Sequence, residues 1–576
     1  MRLLLLATLL VPFLWMLPGQ AAKQSDIRLR RPIALTLLDE GKTLLVANRD
    51  SGTVSAWDVN KRNRLSESRV GRKLSDMTAT PNGNLILVTD EEAGEVTVLS
   101  RQKGSLQESR RIKVGHSPVS VQVSEDGKLA SVACLWPRRL AIFDPGNQGQ
   151  VHQVDLPFAP RRQLMVPGTA KVIVADSFAG QIAVVDLQHK KLESVRNLAI
   201  HNIRGLALDR QKKHLLLTHQ TINGRAHNTK GEIRTGNLIT NNIRKLSLAD
   251  LLDPLADISR NERVYSLGDV ELGAGDPAAL AGSFDEQIVI AVAGTNEVVI
   301  GRPELALWTR LPVGRRPTAL AVDSARKRAY VANTFGDSIS VVDLASRKVV
   351  DTIALGPAAD LTSAERGEVH FFDARLSFDS WFSCHSCHPD GHTNGRLNDN
   401  FTDGSFGTPK RVLSLLGVKD TGPWAWNGKM ADLEAQVRNS LKSTMQGPEP
   451  SAEMVRDLTA YLRTLPPSPS VLKARGTLDP DAQKRGAKVF ARQKCATCHT
   501  PPTFTSAKTY DVGLRDEAGE KLFNPPSLRG ISQAGPYFHD NRAISLREVF
   551  SRYRHELSGA LSERELTDLL YFLGSL

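Results

Sequence analysis

PTALAVDSARKRAYVANTFGDSISVVDL, at residues 317–344, decides the fold of the first half of this chain, because its pattern recurs. PIALTLLDEGKTLLVANRDSGTVSAWDV, at 32–59, has the same order of short apolar strands and Asp, Gly or Asn turns. Gly41, Gly83 and Gly127 mark the same turn in successive rows, 42 and 44 residues apart. Five further rows lie between the two quoted ones, at 77–100, 118–144, 163–187, 203–219 and 277–300.

The spacing of these rows is that of β-propeller blades, which repeat about every 40–45 residues with four strands each. Seven rows therefore predict a seven-bladed propeller over residues 26–356, a ring that leaves no long sheet edge unpaired. YVAN at 330–333, followed by SISVVDL at 338–344, resembles the YVTN family of propeller repeats. This resemblance implies a fold and not a function, because propellers host many functions on one scaffold.

The fifth row carries an insertion at residues 220–262. Its Gly, Asn and Thr content predicts a loop that ends in a short helix around 247–252. His219 and His227 lie at its start. They are either incidental histidines of a solvated loop or part of a flap that packs on the neighbouring domain.

The N-terminus reads MRLLLLATLLVPFLWMLPGQAAKQSD, in which one Arg precedes an apolar run and a small-x-small cleavage site. This pattern predicts a signal peptide at residues 1–21 and export to the periplasm. No later stretch is apolar enough to span a membrane. The net charge of +12 is spread along the chain, and no basic run interleaves with aromatics, so we do not expect nucleic acid as a partner.

The back half is a duplication. LTSAERGEVHFFDARLSFDSWFSCHSCH (361–388) matches LDPDAQKRGAKVFARQKCATCH (478–499), and each copy closes with an amphipathic helix. PPSPS at 466–470 links the copies. The fold class expected for the whole chain is therefore multidomain, with an all-β propeller followed by two tandem all-α cytochrome c-like haem domains, at 357–465 and 471–576.

Four of the five cysteines lie in two copies of Cys-x-x-Cys-His, which is the attachment signature of c-type haem. Two thiols three residues apart can bond the two vinyl groups of one porphyrin, and the adjacent His then lies under the iron. A zinc site would need further ligands and a redox dithiol would need a βαβ setting, and neither is present. The fifth cysteine, Cys134, is expected to be a buried small hydrophobe. The expected attachment residues are Cys384 and Cys387 for the first haem and Cys495 and Cys498 for the second, with His388 and His499 as iron ligands.

The second axial ligand of each iron decides its chemistry, because a Met ligand suits electron transfer and an open position permits reaction with small oxygen species. The chain has seven Met residues, and none follows Met454. The second haem domain therefore has no Met of its own to offer. Its remaining candidates are His539, Tyr553 and His555.

The two-copy layout, with GPWAWNG at 422–428 and GPYFHDN at 535–541, resembles the bacterial di-haem cytochrome c peroxidase and MauG superfamily. The resemblance implies that one haem accepts electrons from a small donor protein while the other reduces hydrogen peroxide. It also implies Tyr553, fourteen residues after His539, as the MauG-like second ligand of the second haem, with His555 as a rival. The alternative for Tyr553 is a packed aromatic on a helix face.

By the same resemblance, the haem on His388 is the peroxide-reacting one. The family's Trp is matched by Trp426 and its Gln by Gln436. The family's next position is an acid that helps to cleave the O–O bond, and here it is Gln446, which cannot transfer protons as a carboxylate does. Either Glu449 or Glu434 takes that role, or the peroxidase activity is weak or lost.

Other residues of the haem domains leave alternatives open. His392 is either a distal ligand or, as we favour, a polar loop residue. Met430 and Met445 are either ligands or packed side chains. Relatives hold a calcium ion between the haem domains, and the sequence leaves its presence here open. Three cations could pair with haem propionates or could be surface charges: Arg396, Lys410 and Arg411.

Two functions follow from this sequence. The first is a periplasmic di-haem oxidoreductase that uses hydrogen peroxide and takes electrons from a cytochrome c, a cupredoxin or a protein substrate. The second is a di-haem electron carrier without peroxidase activity, in which the propeller docks the partner.

Overall fold

The computed structural model describes residues 29–102, 105–147, 149–305, 307–401 and 404–576. The signal peptide expected at 1–21 lies outside these residues. Within the described ranges, no helix combines the length and the apolar character that crossing a membrane requires.

The first half is a seven-bladed β-propeller, as the repeated rows predict. Each blade is an antiparallel sheet of four strands that follow one another in the chain. The strands are β1 Pro32–Leu38, β2 Thr43–Asn48, β3 Thr53–Asp58, β4 Asn63–Arg69, β5 Leu74–Ala79, β6 Leu85–Asp90, β7 Glu95–Gln102, β8 Ser105–Lys113, β9 Pro118–Val123, β10 Ala130–Cys134, β11 Arg139–Phe143, β12 His152–Asp155, β13 Pro160–Met165, β14 Lys171–Asp176, β15 Gln181–Asp186, β16 Lys191–Asn197, β17 His201–Leu208, β18 His214–Ile222, β19 Ile239–Ser247, β20 Arg263–Ser266, β21 Pro277–Gly282, β22 Ile288–Val292, β23 Glu297–Arg302, β24 Leu307–Pro312, β25 Pro317–Asp323, β26 Arg328–Asn333, β27 Ser338–Asp343 and β28 Lys348–Ala354.

The ring closes by contact between the innermost strands of its first and last blades, β1 and β25. The Thr334 hydroxyl donates to the carbonyl of Pro32 at 2.8 Å, and the Asp337 carboxylate accepts the backbone N–H of Arg30 at 3.0 Å. The equivalent turn after each innermost strand requires a positive φ, which Gly41 and Gly83 supply at +81° and +69°. The recurring glycines of the sequence thus mark one repeated turn.

The insertion in the fifth blade differs from the loop that its composition predicts. Strand β18 continues to Ile222 and β19 begins at Ile239, so the two strands extend as a paired ladder well into the insertion. Between them lies helix α1, Lys230–Arg234. The expected short helix is present as α2, Leu248–Leu252, with Ser247 as its N-cap. Loop-like composition was misleading here because cross-strand pairing and burial outweigh local propensity.

The second half is mainly helical, with two very short hairpins that an all-α expectation misses. α3, α5 and α6 form a first helical unit, which α8, α9 and α10 repeat in order as a second. The bounds are α3 Ser363–Phe371, α4 Cys384–Cys387, β29 Leu397–Asn398, β30 Lys410–Arg411, α5 Leu433–Asn439, α6 Ala452–Thr464, α7 Val471–Arg475, α8 Pro480–Arg492, β31 Tyr510–Asp511, β32 Leu522–Phe523, α9 Leu546–Ser551 and α10 Glu563–Gly574.

The propeller and the first helical unit share one hydrophobic core. Ile233 and Leu238 of the insertion are fully buried in the same cluster as Trp381 and Leu458. The insertion is therefore the flap that packs on the neighbouring unit. His219, for which the sequence left open a solvated loop or such a flap, is buried inside strand β18.

Candidate functional site

The first Cys-x-x-Cys-His motif lies between a cavity and the propeller. Cys384, Cys387 and His388 line a cavity of about 380 Å³. The two intervening residues, His385 and Ser386, are buried on the opposite side. The motif thus presents its thiols and imidazole to the cavity and its other side chains to the propeller.

The thiol of Cys384 and the imidazole of His388 are shielded from water. Burial raises the pKa of Cys384 to about 12, and the nearby carboxylate of Asp276 acts in the same direction. Burial lowers the pKa of His388 to about 4, so its imidazole is neutral, as a metal ligand must be. The Nδ1 atom of His388 is buried and has no hydrogen-bond partner among the described residues.

The cavity wall contains a buried cation. Arg411 is 7% exposed, its Nε atom has no partner among the described residues, and no carboxylate lies within ion-pairing distance of it there. Burial lowers its pKa to about 10. The neighbouring Lys410 pairs with Asp516 at 3.0 Å. A buried guanidinium without an anion at the wall of a cavity suits a ligand that carries carboxylates, as haem does.

Arg396, the third cation expected at haem propionates, is not among the residues that line this cavity. Its guanidinium donates instead to the propeller carbonyl of Ile200 at 2.7 Å.

Trp426 and Gln436, which the resemblance assigns to the haem on His388, both line the same cavity as His388. The indole of Trp426 donates to the carbonyl of Arg411 at 2.8 Å. Its own carbonyl accepts from the backbone of Asn524, in the second helical unit, at 2.7 Å. The side-chain oxygen of Gln436 is buried without a partner among the described residues, so it is available to a ligand.

Gln446, in contrast, is not among the cavity-lining residues. Its amide donates to the carbonyls of Asn228, in the propeller insertion, at 3.0 Å and of Ser443 at 2.8 Å. The alternative acids also lie elsewhere, since Glu449 forms ion pairs with Arg438 and Lys442 and Glu434 does not line the cavity. Two carboxylates that the sequence did not point to line it from the second helical unit, Asp516 and Glu520.

His392 is a buried residue of the junction with the propeller. Its ring packs on Phe178 and Trp136, with centroids 4.6 and 5.8 Å away. Both of its nitrogens have partners, the hydroxyl of Ser414 and the carbonyl of Gln533. This arrangement supports a packing role. Met445 is also buried in the core, although it borders the cavity.

The second motif forms a short turn, Cys495–Thr497, and is more exposed than the first. The Nδ1 atom of His499 lies 3.1 Å from the carbonyl of Phe504, which leaves Nε2 for a metal. Burial lowers the pKa of His499 to about 4, and His555 contributes in the same direction from nearby. These groups also fit a covalently attached haem.

The three candidates for the second ligand here differ in their hydrogen bonds. The hydroxyl of Tyr553 donates to the carbonyl of Arg542 at 2.7 Å. His555 contacts Phe538 edge-on, and burial lowers its pKa. His539 is 1% exposed, stacks on Phe523, and has no partner for either ring nitrogen among the described residues. Tyr553 as the iron ligand stays a prediction. In this structure its hydroxyl is hydrogen-bonded to a backbone carbonyl.

Calcium also stays a prediction. Within the described ranges, no three His, Cys, Asp or Glu side chains converge as a metal-binding group.

The propeller residues that hold the first motif had no counterpart in the sequence patterns. The Asp276 carboxylate accepts from the hydroxyls of Ser383 and Ser386. The side chain of Gln220 donates to Ser386 Oγ at 3.1 Å, and His201 Nε2 lies 3.1 Å from the carbonyl of Ser386. These contacts span more than one hundred residues of sequence, so no local motif could indicate them.

Comparison with known proteins finds a matching family and several relatives. Residues 362–470 match the family model of the di-haem cytochrome c peroxidases. The chain is 27% identical over 270 residues to the methylamine utilization protein MauG of Methylorubrum extorquens. The match covers 36% of this chain and 76% of that protein. It is 28% identical over 271 residues to hydrazine synthase subunit gamma of Kuenenia stuttgartiensis, covering 36% and 76%. It is 24% identical over 270 residues to cytochrome c551 peroxidase of Pseudomonas aeruginosa, covering 37% and 78%.

The chain thus joins a seven-bladed propeller to a C-terminal half that is similar to the di-haem cytochrome c peroxidases and to MauG. The matches support an oxidoreductase enzyme.

Proposed function

We propose that this protein is an exported di-haem c-type cytochrome that reduces hydrogen peroxide at the haem on His388 and receives electrons through the haem on His499. The observation that carries the proposal is the first cavity. It brings Cys384, Cys387 and His388 together with Trp426 and Gln436 in one largely apolar pocket.

The chain's own residues supply attachment and orientation. Cys384 and Cys387 would hold the first haem through thioethers, and Cys495 and Cys498 the second. His388 and His499 would bind the irons, while Arg411 would neutralise a buried propionate. The haem supplies an iron that exchanges electrons and can react with peroxide where an axial position is open.

Trp426 is the residue best placed to connect the two haem units. It lines the first cavity, its carbonyl is bonded to the second helical unit, and its ring lies edge-on to His539 with centroids 6.3 Å apart. An aromatic side chain between two redox groups shortens the gap that electrons must cross. Gln436, with its unpaired oxygen, would orient a small polar substrate in the cavity.

Partner and location are part of the proposal. The predicted signal peptide supports a periplasmic location. The likeness to MauG and to cytochrome c551 peroxidase supports a small cytochrome c, a cupredoxin or a protein substrate as the electron donor. The basic character of the chain, +12 in total, suits a partner with an acidic face.

The proposal is tested by peroxide-dependent oxidation of a reduced small cytochrome c. Wild-type protein is expected to show turnover and to carry haem on both motif peptides after tryptic digestion. The Cys384→Ala/Cys387→Ala variant is expected to lose turnover while its second haem is still reduced by the donor. Turnover that persists in this variant, or a chain with no covalent haem, would overturn the proposal.

The position of Gln446 favours one alternative, a di-haem electron carrier without peroxidase activity. The acid of the family is replaced by Gln446, whose amide is bonded to two backbone carbonyls. A carrier would exchange electrons with the same donor and leave peroxide unchanged.

A further inference from the structure

The two Cys-x-x-Cys-His motifs differ in the residues that do not hold haem. The first has Ser383 before its first cysteine and Ser386 between the cysteines, and both are buried. At the corresponding positions the second has Lys494 and Thr497, and both are exposed. Only the first motif therefore has a protein surface behind it that could act on its haem.

The hydroxyl protons of Ser383 and Ser386 can be assigned from their hydrogen bonds. Ser383 Oγ accepts the backbone N–H of His385 at 3.1 Å, as expected of an N-cap. Ser386 Oγ accepts from the backbone of Ser383 at 3.0 Å and from Gln220 at 3.1 Å. Each hydroxyl group also donates one hydrogen bond, and the acceptor of both bonds is the carboxylate of Asp276, in the propeller.

Asp276 therefore accepts at both of its oxygens, which describes an ionised carboxylate. It is 4% exposed, and among the described residues no Lys or Arg lies within ion-pairing distance of it. The two serine hydroxyls are its direct hydrogen-bond donors. Burial raises the pKa of Asp276, and the guanidinium groups of Arg316 and Arg204 act to lower it from beyond ion-pairing distance. A buried charge acts over a longer range than an exposed one, because little water screens it.

We propose that Asp276 of the propeller is a positioning and redox-tuning residue of the first haem site, which fixes the attachment helix from behind and holds the reduction potential of that haem down. The propeller is then a structural wall of the site. The inference rests on the proposed attachment of haem to Cys384 and Cys387. A fixed negative charge near a haem favours the oxidised iron, because the ferric state carries one more positive charge.

The test is a redox titration of the holoprotein in wild-type and Asp276→Asn forms. Asparagine keeps the size of the side chain and removes its charge. We expect the midpoint potential of the first haem to rise and that of the second haem to stay unchanged. The second haem serves as an internal reference because its motif residues Lys494 and Thr497 face solvent and not the propeller.

A matched control is Asp155→Asn. Asp155 is also a propeller aspartate bonded to the helical half, through Arg475 at 3.0 Å, but it is exposed, and its ion-pair partners Arg139 and Arg475 belong to neither motif. It is expected to move neither potential. Equal shifts of both haems in Asp276→Asn, no shift of either, or the same shift in Asp155→Asn would overturn the proposal.

A second variant separates an effect of the Asp276 charge on the reduction potential from a general loss of packing at the first haem site. Ser386→Ala keeps the Asp276 charge and removes one of its hydrogen-bond donors, so the potential of the first haem is expected to fall or stay, and not to rise. A general loosening of the site would shift both variants in the same direction, and a rise in both would therefore refute the tuning role.

If the Asp276→Asn variant binds too little haem for a redox titration, the amount of covalent haem on each motif peptide is measured instead. Selective loss of haem from the tryptic peptide with Cys384 and Cys387, and not from the one with Cys495 and Cys498, supports the positioning role. Equal loss from both contradicts it. The wild-type haem count separates this inference from the proposed function, because two covalent haems without peroxide turnover would leave the role of Asp276 intact.

Discussion

At the level of single residues, burial without a partner is the feature that marks the first site. Arg411 is buried, and among the described residues its Nε atom has no hydrogen-bond partner and its charge has no ion-pair partner. The side-chain oxygen of Gln436 is also buried without a hydrogen-bond partner there. Natural structures rarely leave such groups unpaired, because each costs about 1–3 kcal/mol. Their convergence on one cavity points to a bound group that satisfies them.

Replacing Arg411 with Gln tests this interpretation. We expect the haem-loaded variant to unfold with a free energy lower by about 3 kcal/mol, because a buried propionate loses its countercharge. The measurement is chemical denaturation of the holoprotein. Arg225→Gln, at an exposed arginine of the insertion, is the control and should change the free energy by less than about 0.5 kcal/mol. Equal denaturation midpoints for the two variants would argue against a propionate at Arg411.

Two buried histidines of the fifth blade predict a pH dependence. Burial lowers the pKa of His201 and of His219 to about 3. In the unfolded chain both imidazoles bind a proton below the ordinary histidine pKa of about 6.5, whereas in the folded chain they stay neutral down to about pH 3. The free energy of unfolding therefore falls as the pH is lowered from about 6.5 to about 3. Between pH 7 and pH 5 each contributes a loss of about 2 kcal/mol.

The measurement is the free energy of unfolding at pH 7 and at pH 5. The decrease in the free energy of unfolding from pH 7 to pH 5 should be smaller by about 2 kcal/mol in His219→Gln than in wild type. An unchanged difference would mean that His219 is protonated in the folded protein.

At the level of elements, the two helical units repeat one close helix crossing. A Cβ atom on Gly367 of α3 would lie 1.9 Å from the carbonyl oxygen of Asp457 in α6, and one on Gly486 of α8 would lie 2.0 Å from that of Asp568 in α10. The preceding arginine bonds the same aspartate in each unit. The Arg-Gly pair of the sequence therefore marks the contact that sets both crossings.

Gly367→Ala and Gly486→Ala are each expected to lower the free energy of unfolding by about 1–3 kcal/mol, because the helices must separate. Thermal or chemical denaturation of the holoprotein checks this. Gly231→Ala in α1 is the control, since a Cβ atom added there would meet nothing within 4 Å and alanine favours a helix. A destabilisation as large in Gly231→Ala would show that the crossing is not the cause.

The elements also show what could be predicted from the sequence. Repeated glycine turns and period-two strands specify the blades, and the paired motifs specify the helical duplication, because both signals are local and occur more than once. The burial of the insertion between β18 and β19 and the orientation of Gln446 depend on contacts with residues far away in the chain. Composition carries no information about such contacts, so these features could not be predicted.

At the level of the whole molecule, the propeller and the helical half are one packed structure. Trp381 is 2% exposed and fits against Gly236 and Gly268 of the propeller, where a Cβ atom would come within 2.5 and 2.8 Å of its ring. Its carbonyl accepts from Asn241 at 2.8 Å. The resemblance to di-haem proteins covers only the helical part and could not predict this interface.

Trp381→Ala is expected to cost about 3–5 kcal/mol of unfolding free energy, because it removes a large buried side chain at this interface. It should also make the chain between the two halves more sensitive to limited proteolysis. Trp308→Ala, on the outer strand β24, is the control and should leave the proteolysis pattern unchanged. Equal resistance of the two variants would mean that the interface does not depend on Trp381.

The proposed function requires the two motifs to carry haems of different reactivity. Electron paramagnetic resonance of the oxidised holoprotein, recorded before and after addition of hydrogen peroxide, distinguishes the two irons. We expect one high-spin ferric signal that disappears on addition of peroxide and one low-spin signal from the second haem. Two low-spin signals that do not respond to peroxide, even after half-reduction, would rule out peroxide chemistry at the first haem and leave an electron carrier.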